Sequence, residues 1–286
     1  SGDWSSDVCS SDLGPEVMIV GVNGAQVYVG TGGRAYDRER PAVVFLHGSG
    51  LDHTFWSLHT RFFAFRGYSV LAPDFPGHSL SGGKPLTSIE DMAEWLHVVL
   101  ESVGAERVSL VGHSQGCLVA LEYTARYQTQ LRSLSLIASG LATPVNPALI
   151  EAAERAPDKA VNLMTNWGFG PAGQKHLGPV PGNAMLVNGW KVMRRNAPAG
   201  LAADLNACDA YRGGAQAAAG VAPPVQVIVG GLDRMAPRKA TEALIAALPG
   251  PEVTRIPGTG HMVPVETPDA CRQALSTFVF KHNPAG

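Results

Sequence analysis

One short segment constrains the fold of this chain more than any other. Residues 108–111 form an apolar run, residues 112–116 read G-H-S-Q-G, and a helical pattern follows directly. A serine on such a strand-to-helix turn has its hydroxyl exposed at the edge of a sheet, and so sharp a turn needs small neighbouring side chains. Gly112 and Gly116 meet that requirement. The segment therefore predicts an α/β protein with Ser114 as a candidate nucleophile, the alternative being an ordinary tight turn.

The rest of the chain repeats this alternation of strands and helices. Apolar runs at 42–46, 69–72, 108–111 and 134–138 alternate with amphipathic stretches near 55–66, 88–103 and 115–127. The pattern resumes with strands at 225–229 and 253–256 and helices at 238–247 and 268–280. Nearly continuous Val, Leu and Ile runs are typical of parallel strands buried on both faces. We predict a mostly parallel central sheet with helices on both faces, and an antiparallel edge where two β-prone runs flank Asn23-Gly24.

Two parts of the chain lack this alternation of strands and helices. Between 141 and 222 Pro, Gly, Asn and Ala dominate, and we interpret residues 141–222 as a cap inserted into a core of residues 14–140 and 223–286. Residues 1–13 read S-G-D-W-S-S-D-V-C-S-S-D-L, which resembles a translated sequencing adapter. We expect them to be an artefact outside the fold, in a sequence taken from environmental DNA.

Composition excludes several classes of protein. Of the 286 residues 45% are hydrophobic and 16% charged, with a net charge of −2, which suits neither a disordered chain nor a nucleic-acid binder. No apolar run reaches the roughly 18 to 20 residues that cross a bilayer. We expect no membrane partner, a cytoplasmic location and a chain that can form a homo-oligomer. The cysteines lack C-x-x-C spacing and predict structural thiols: Cys9, Cys117, Cys208 and Cys271.

A serine nucleophile needs a base, and the base needs a partner that orients it. Histidine has the pKa that suits proton exchange with a hydroxyl near neutral pH. His261 lies in the loop G-T-G-H-M after the last predicted strand, and Asp233 ends the stretch V-G-G-L-D after another. Both positions reach the carboxyl ends of the strands, where ligands bind in α/β sheets. We predict His261 as base and Asp233 as its orienting acid, against a structural loop histidine and a helix N-cap.

The negative oxygen of a tetrahedral intermediate needs two N–H donors. The loop after strand 42–46 reads H-G-S-G, and its glycines let the backbone approach a substrate closely. We expect the backbone N–H groups of Ser49 and Gln115 to form this oxyanion hole, with Gly50 as the alternative to Ser49.

Five segments together resemble the α/β-hydrolase superfamily: H-G-S-G, P-D-F-P-G-H-S at 73–79, G-H-S-Q-G, G-G-L-D and G-T-G-H-M. The resemblance covers residues 17–282, and the chain order Ser, Asp, His is that of the superfamily. It implies an α/β-hydrolase fold and an esterase-like serine hydrolase that cleaves a carboxylic ester through an acyl-enzyme. Serine rather than aspartate at 114 argues against the epoxide hydrolase and haloalkane dehalogenase branches. The absence of P-G after H-G-S-G argues against the carbon–carbon hydrolase and proline iminopeptidase branches.

The cap suggests what the substrate is. Its apolar side chains would close a largely apolar pocket or form the cap's own core, and we predict substrate contacts from Trp167, Trp190 and Met262. Asp204 and Asp209, near the end of the cap, are predicted as solvated helix positions. A small-molecule ester or lactone is the expected partner, and no cofactor or metal is implied. A lactonase, enol-lactone hydrolase or thioesterase on the same triad remains an alternative, as does a non-enzymatic ligand receptor on this fold.

Overall fold

A computed structural model of the chain describes residues 17–175 and 184–285. The adapter-like residues 1–13, with Cys9, lie outside the described residues, as do residues 176–183 of the predicted cap. The described residues form one sheet of eight strands: β1 (Val17–Val22), β2 (Ala25–Gly30), β3 (Ala42–Leu46), β4 (Ser69–Pro73), β5 (Val108–His113), β6 (Leu131–Ile137), β7 (Val225–Gly230) and β8 (Glu252–Ile256).

The sheet is mostly parallel, as predicted. Its spatial order is β1-β2-β4-β3-β5-β6-β7-β8, and β1 and β2 form the antiparallel edge, joined at Asn23 and Gly24 with positive φ. The six remaining strands pair in parallel, with Leu46 opposite Gly112 and His113 opposite Ile137. The carboxyl ends of the central strands therefore lie side by side, at the edge where the predicted site residues follow.

Helices cover both faces of the sheet because alternate strand residues point to opposite faces. Val44 and Leu46 pack with one cluster and Val43 and Phe45 with the other. The helices that follow the predicted pattern are α1 (Ser57–Ala64), α2 (Ile89–Ser102) and α3 (Gln115–Tyr127), and later α10 (Arg238–Ala247) and α12 (Pro268–His282). A short helix that was not predicted, α11 (Val263–Glu266), precedes α12. The sequence prediction of an α/β fold is confirmed.

Between β6 and β7 the chain forms a helical segment, which lies within the predicted cap. It contains α4 (Pro147–Arg155), α5 (Pro157–Gly168), α6 (Pro171–Gln174), α7 (Met185–Asn196), a π-helical turn (Ala197–Leu201), α8 (Ala202–Ala210) and α9 (Gly214–Ala219). Its division from the core as a separate unit stays a prediction. In the described ranges, no helix has both the length and the apolar character needed to cross a membrane.

Candidate active site

Ser114 occupies a strained turn between β5 and α3. Its φ of 53° and ψ of −118° lie outside the regions that side chains favour, and its N–H donates to the Ile137 carbonyl at 3.0 Å. A Cβ on Gly112 would lie 2.4 Å from the Gly116 carbonyl oxygen, and one on Gly116 would lie 2.5 Å from that of Leu46. Both glycines are therefore required, as the sequence indicated, because the strand, the turn and the helix are in contact.

His261 and Asp233 form a buried pair beside this turn. The Nδ1 of His261 lies 2.8 Å from Oδ2 of Asp233, and both side chains are at most 3% exposed. The other carboxylate oxygen accepts the backbone N–H groups of Met235 and Ala236, each at 2.8 Å. Burial disfavours the charged carboxylate, but the imidazole and these two N–H groups outweigh burial and lower the pKa of Asp233. An ionised Asp233 only accepts hydrogen bonds, so the His261 proton resides on Nδ1 and Nε2 is left as the basic nitrogen.

The loop that carries His261 is held from several sides. The His261 N–H donates to the Gly168 carbonyl at 2.8 Å, and the His261 carbonyl accepts from Nε2 of His113 at 3.0 Å. Burial lowers the pKa of His113 to about 3, so this ring stays neutral with its proton on Nε2. The His261 side chain is thus held through its backbone as well as by Asp233.

Glu266 holds the same loop and was missed in the sequence. Its buried carboxylate accepts backbone N–H groups from Gly170 at 2.8 Å, Gly260 at 3.2 Å and Met262 at 3.1 Å. Burial raises the pKa of Glu266, and the three N–H groups oppose that rise. A glutamate in a proline-containing helical turn carries no sequence signal for this contact, since Gly170 lies 96 positions away.

The predicted oxyanion residues lie on either side of Ser114. A Cβ on Gly48 would lie 3.1 Å from the Ser114 Cβ. The H-G-S-G loop after β3, which we call the Ser49 loop, is therefore in close contact with the candidate nucleophile. Gln115 is the first residue of α3, so its N–H has no acceptor within the helix. The N–H of Gly50, the alternative to Ser49, donates to Asp204 Oδ2 at 2.8 Å. Ser49 and Gln115 therefore remain the better candidates for the two donors.

His47 supports this loop as a neutral side chain. Its Nε2 accepts the Phe75 N–H at 3.1 Å, so the ring proton is on Nδ1, 3.0 Å from the Gly48 carbonyl. Burial, helped by the neighbouring His78, lowers the pKa of His47. The ring therefore bridges the Ser49 loop to the loop after β4.

Ser114, His261 and Ser49 line one cavity of about 460 Å³, which we call the main cavity. Trp167 also lines it, as predicted for a substrate contact. No hydrogen bond joins the Ser114 hydroxyl to the imidazole among the described residues; such catalytic contacts are often long before substrate binds.

A second, largely apolar cavity of about 350 Å³, the side cavity, lies between the first helices and α7. A narrow space of about 10 Å³ lies between the two cavities. Ser114 and His261 line both this space and the main cavity, and Met193 and Met262 line both this space and the side cavity. Met262 thus lies between the two cavities, and its contact with a substrate stays a prediction. Trp190 is not brought to these cavities: its indole N–H donates to Asn162 at 2.8 Å.

Asp204 corrects a prediction. It was expected at a solvated helix position, but it is 0% exposed and bonded to the Ser49 loop. The prediction was wrong because this face of α8 packs on the Ser49 loop, His78 and the start of α3, which shield Asp204 from water.

In the described part of the chain, one group of side chains has the composition of a metal site. It consists of Asp52, His53 and Asp74, whose possible ligand atoms lie within 4.8 Å of one another. Both Asp74 oxygens already face Nδ1 of His53 at 2.9 Å, and Asp52 is bonded to Thr54 and Arg195. These groups satisfy one another, and we assign the cluster to holding the turn after β3.

Comparisons with known proteins agree with this fold. A family model described as "Alpha/beta hydrolase family" matches residues 43–274. A pimeloyl-(acyl-carrier protein) methyl ester esterase of Aromatoleum aromaticum is 29% identical over 259 residues, which cover 84% of this chain and 98% of that protein. An enol-lactonase from Burkholderia xenovorans has a similar structure, with a TM-score of 0.82 at 19% identity over 92% of this chain and 99% of that one. A thermophilic esterase from Thermogutta terrifontis gives a TM-score of 0.80 at 20% identity, over 93% and 99% of the two chains.

Proposed function

The chain belongs to the alpha/beta hydrolase family, and we propose that it hydrolyses a small carboxylic ester through an acyl-enzyme on Ser114. The observation that carries the proposal is the buried His261–Asp233 pair, which opens onto the same cavity as a serine held on a strained strand-to-helix turn. Strained residues persist where the surrounding structure holds them and are concentrated at functional sites. The family match and the esterase relative support hydrolysis of ester bonds as the reaction class.

The chemistry follows from the protonation states. Ser114 Oγ attacks the carbonyl carbon while Nε2 of His261 takes the hydroxyl proton, and Asp233 stabilises the imidazolium that results. The tetrahedral intermediate collapses when the bond to the alcohol oxygen breaks and His261 returns the proton to that oxygen. A water molecule then attacks the acyl-enzyme by the same steps, which releases the carboxylic acid and restores Ser114.

The negative charge of both intermediates develops on the former carbonyl oxygen. We assign its two donors to the backbone N–H groups of Ser49 and Gln115, because these residues flank Ser114 and Gly50 is bonded elsewhere. Donors fixed before the reaction stabilise this charge without reorganising, and one such donor is worth about 10² to 10³ in rate.

The main cavity favours a substrate of small to medium size without a positive charge, since Arg234 is part of its described lining. Its described lining combines apolar side chains such as Leu149, Met164 and Trp167 with a few polar groups, and no carboxylate is among them. A cavity of about 460 Å³ lies within the usual range for small-molecule sites. The partly apolar lining favours acetyl to butyryl or aromatic esters.

A lactone is the second candidate substrate, since the structural neighbour from Burkholderia xenovorans is an enol-lactonase. The same groups would open a cyclic ester, and the product would be a single hydroxy acid because the alcohol stays attached. Esters and lactones are separated by a panel of both substrate types under identical conditions.

The test is turnover of p-nitrophenyl acetate and butyrate by the unsubstituted protein and by Ser114→Ala. Removal of the nucleophile should lower kcat at least about a thousandfold. Ser102→Ala is the matched control, because its hydroxyl donates to the Val99 carbonyl within α2, away from both cavities. Unchanged turnover by Ser114→Ala would overturn the proposed nucleophile.

A further inference from the structure

Asp204 of α8 is a buried carboxylate that the proposed mechanism leaves unused. It is 0% exposed, and its Oδ2 accepts the Gly50 N–H at 2.8 Å and faces Nε2 of His78 at 3.0 Å. Its Oδ1 accepts the side-chain amide of Gln115 at 3.1 Å. One carboxylate therefore contacts both segments that carry the proposed oxyanion donors, directly after Ser49 and at Gln115 itself.

His78 is the charged partner of this carboxylate. Its Nδ1 lies 3.2 Å from the Pro76 carbonyl oxygen, which can only accept, and its Nε2 faces Asp204. Both ring nitrogens must then carry a proton, so the ring is an imidazolium. A Cβ on Gly200 would lie 2.7 Å from Nε2, so the backbone of the π-helical turn covers the ring. A buried pair of this kind is costly to break, because the remaining charge is left unpaired.

The backbone after Ser49 is fixed on both its N–H and its carbonyl sides. Gly50 has a φ of 67°, in the left-handed region that glycine adopts without strain. Its N–H is bonded to Asp204, while the carbonyls of Gly50 and Leu51 accept from the Asn196 side chain at 3.1 and 3.0 Å. The helical segment thus holds the peptide group between Ser49 and Gly50 through a residue that lies 154 positions away in the sequence.

We propose that Asp204, paired with His78, is a positioning residue that holds the Ser49 and Gln115 N–H groups in the arrangement that binds the tetrahedral oxyanion. It touches no reacting atom and acts through Gly50 and the Gln115 side chain. The inference rests on the proposed acyl transfer. Its physical basis is that oxyanion donors lower the barrier only when they are aligned before charge develops.

Asp204→Asn keeps the size of the side chain but removes its charge and one acceptor oxygen, so the ion pair with His78 is lost and the new NH₂ group cannot accept from the N–H group that it faces. We expect kcat to fall about 10- to 100-fold and KM to change by no more than about twofold. This decrease in kcat is no larger than the one expected when a whole oxyanion donor is removed. Affinity for phenylboronic acid, which forms a tetrahedral adduct with a serine hydroxyl, should fall in parallel with kcat/KM. Rates are taken per active site, counted by titration with a fluorophosphonate, so that a partly unfolded preparation does not mimic the effect.

Glu122→Gln is the matched control. Glu122 lies in α3, as Gln115 does, and accepts from the hydroxyl of Tyr211 directly after α8 at 2.9 Å. The variant removes a carboxylate that joins the same two parts of the structure but lies away from the Ser49 loop. We expect its kcat to equal that of the unsubstituted protein.

A second pair of variants tests the inference if Asp204→Asn does not fold. His78→Gln keeps an N–H donor that can reach Asp204, whereas His78→Leu removes it. We expect the Gln variant to retain several-fold more kcat than the Leu variant at similar KM.

Failure of the positioning role and failure of the proposed function give different results. A kcat of Asp204→Asn within twofold of the unsubstituted protein, or a lower kcat with unchanged affinity for phenylboronic acid, overturns the positioning role. Equal kcat in His78→Gln and His78→Leu also overturns it. Absence of Ser114-dependent turnover in the unsubstituted protein instead overturns the proposed function, and this inference with it.

Discussion

At the scale of single residues, the site combines groups whose protonation states are set by their neighbours. Asp233 accepts from His261 with one oxygen and from two backbone N–H groups with the other, so it both orients the His261 ring and closes its own turn. His113 and His47 are neutral and hold backbone, and His78 is paired with a carboxylate. Of these four histidines, His261 alone combines a carboxylate on Nδ1 with a place beside Ser114 in the main cavity.

Asp233→Asn should keep the turn but lose the base. The amide oxygen can still accept from Met235 and Ala236, while the amide NH₂ then faces Nδ1 of His261 and forces the ring proton onto Nε2. We expect kcat for p-nitrophenyl butyrate to fall about 10³- to 10⁴-fold with little change in melting temperature.

Asp269→Asn is the control for that substitution, since Asp269 is an exposed partner of Arg272 at the start of α12. Activity of Asp233→Asn close to that of Asp269→Asn would mean that another group orients His261.

The local motifs predicted Ser114, His261, Asp233 and Ser49 as candidates because each follows a predicted strand within a glycine-containing turn. Their roles are still predictions, but the structure brings Ser114, His261 and Ser49 to one cavity and pairs Asp233 with His261. Asp204 and Glu266 could not be predicted in this way. Each acts on backbone groups 154 or 96 positions distant, and nothing in the adjoining sequence encodes such a contact.

At the scale of elements, the sequence predicted the bounds of strands and helices best where the burial of apolar side chains alone decides the structure. The buried strands and α3 were placed to within a few residues, and β6 began earlier than predicted because the exposed Arg132 lies within it. The bounds of the helices between β6 and β7 were not predicted. The frequent prolines there indicated only a cap, yet Pro147, Pro157 and Pro171 each open a helix, where the missing N–H costs nothing.

Glu266→Gln tests how the loop before α11 is held. The three N–H groups on the carboxylate cannot all be satisfied once one oxygen becomes NH₂, so at least one buried donor is left unpaired. We expect the free energy of unfolding in urea to fall by about 1 to 3 kcal/mol, with a lower kcat because Gly260 and Met262 flank His261.

The matched control is Glu252→Gln, which alters an exposed pair with Lys281 at the surface. An unfolding free energy of Glu266→Gln equal to that of Glu252→Gln would show that the three hydrogen bonds do not hold the loop.

At the scale of the whole molecule, buried charges tie the helical segment to the core. Asp204 reaches the Ser49 loop, Arg195 pairs with Asp52, and Gly170 bonds to Glu266. The segment and the core should therefore unfold together, and their stability should depend on pH through these groups.

The pKa directions predict the pH dependence. Burial opposes the charge on Asp204, but His78 and the N–H donors outweigh burial and lower its pKa below 3.8, so its stabilisation is present above pH 3.8 and lost in acid. Burial likewise opposes the charge on His78, but Asp204 outweighs it and raises the pKa above 6.5. That contribution is present below pH 6.5 and lost as the pH rises through the raised value.

We therefore expect the free energy of unfolding, measured in urea across pH 3 to 10, to decline on the alkaline side as His78 loses its proton. The titratable groups that face His78 are Asp204, Asp74 and His47, and the two carboxylates favour its charged form. His78→Gln should lack that decline. The same alkaline slope in both proteins would assign it to another group.

The central claim is that Ser114 is the nucleophile, and covalent labelling tests it most directly. The protein is treated with a fluorophosphonate, which forms a stable bond to an activated serine, and is then analysed by intact mass and peptide mapping. One label per chain on the peptide that contains Ser114, absent from Ser114→Ala and much slower in His261→Ala, is the predicted result. A label on another residue, or equal labelling of Ser114→Ala, would contradict the account.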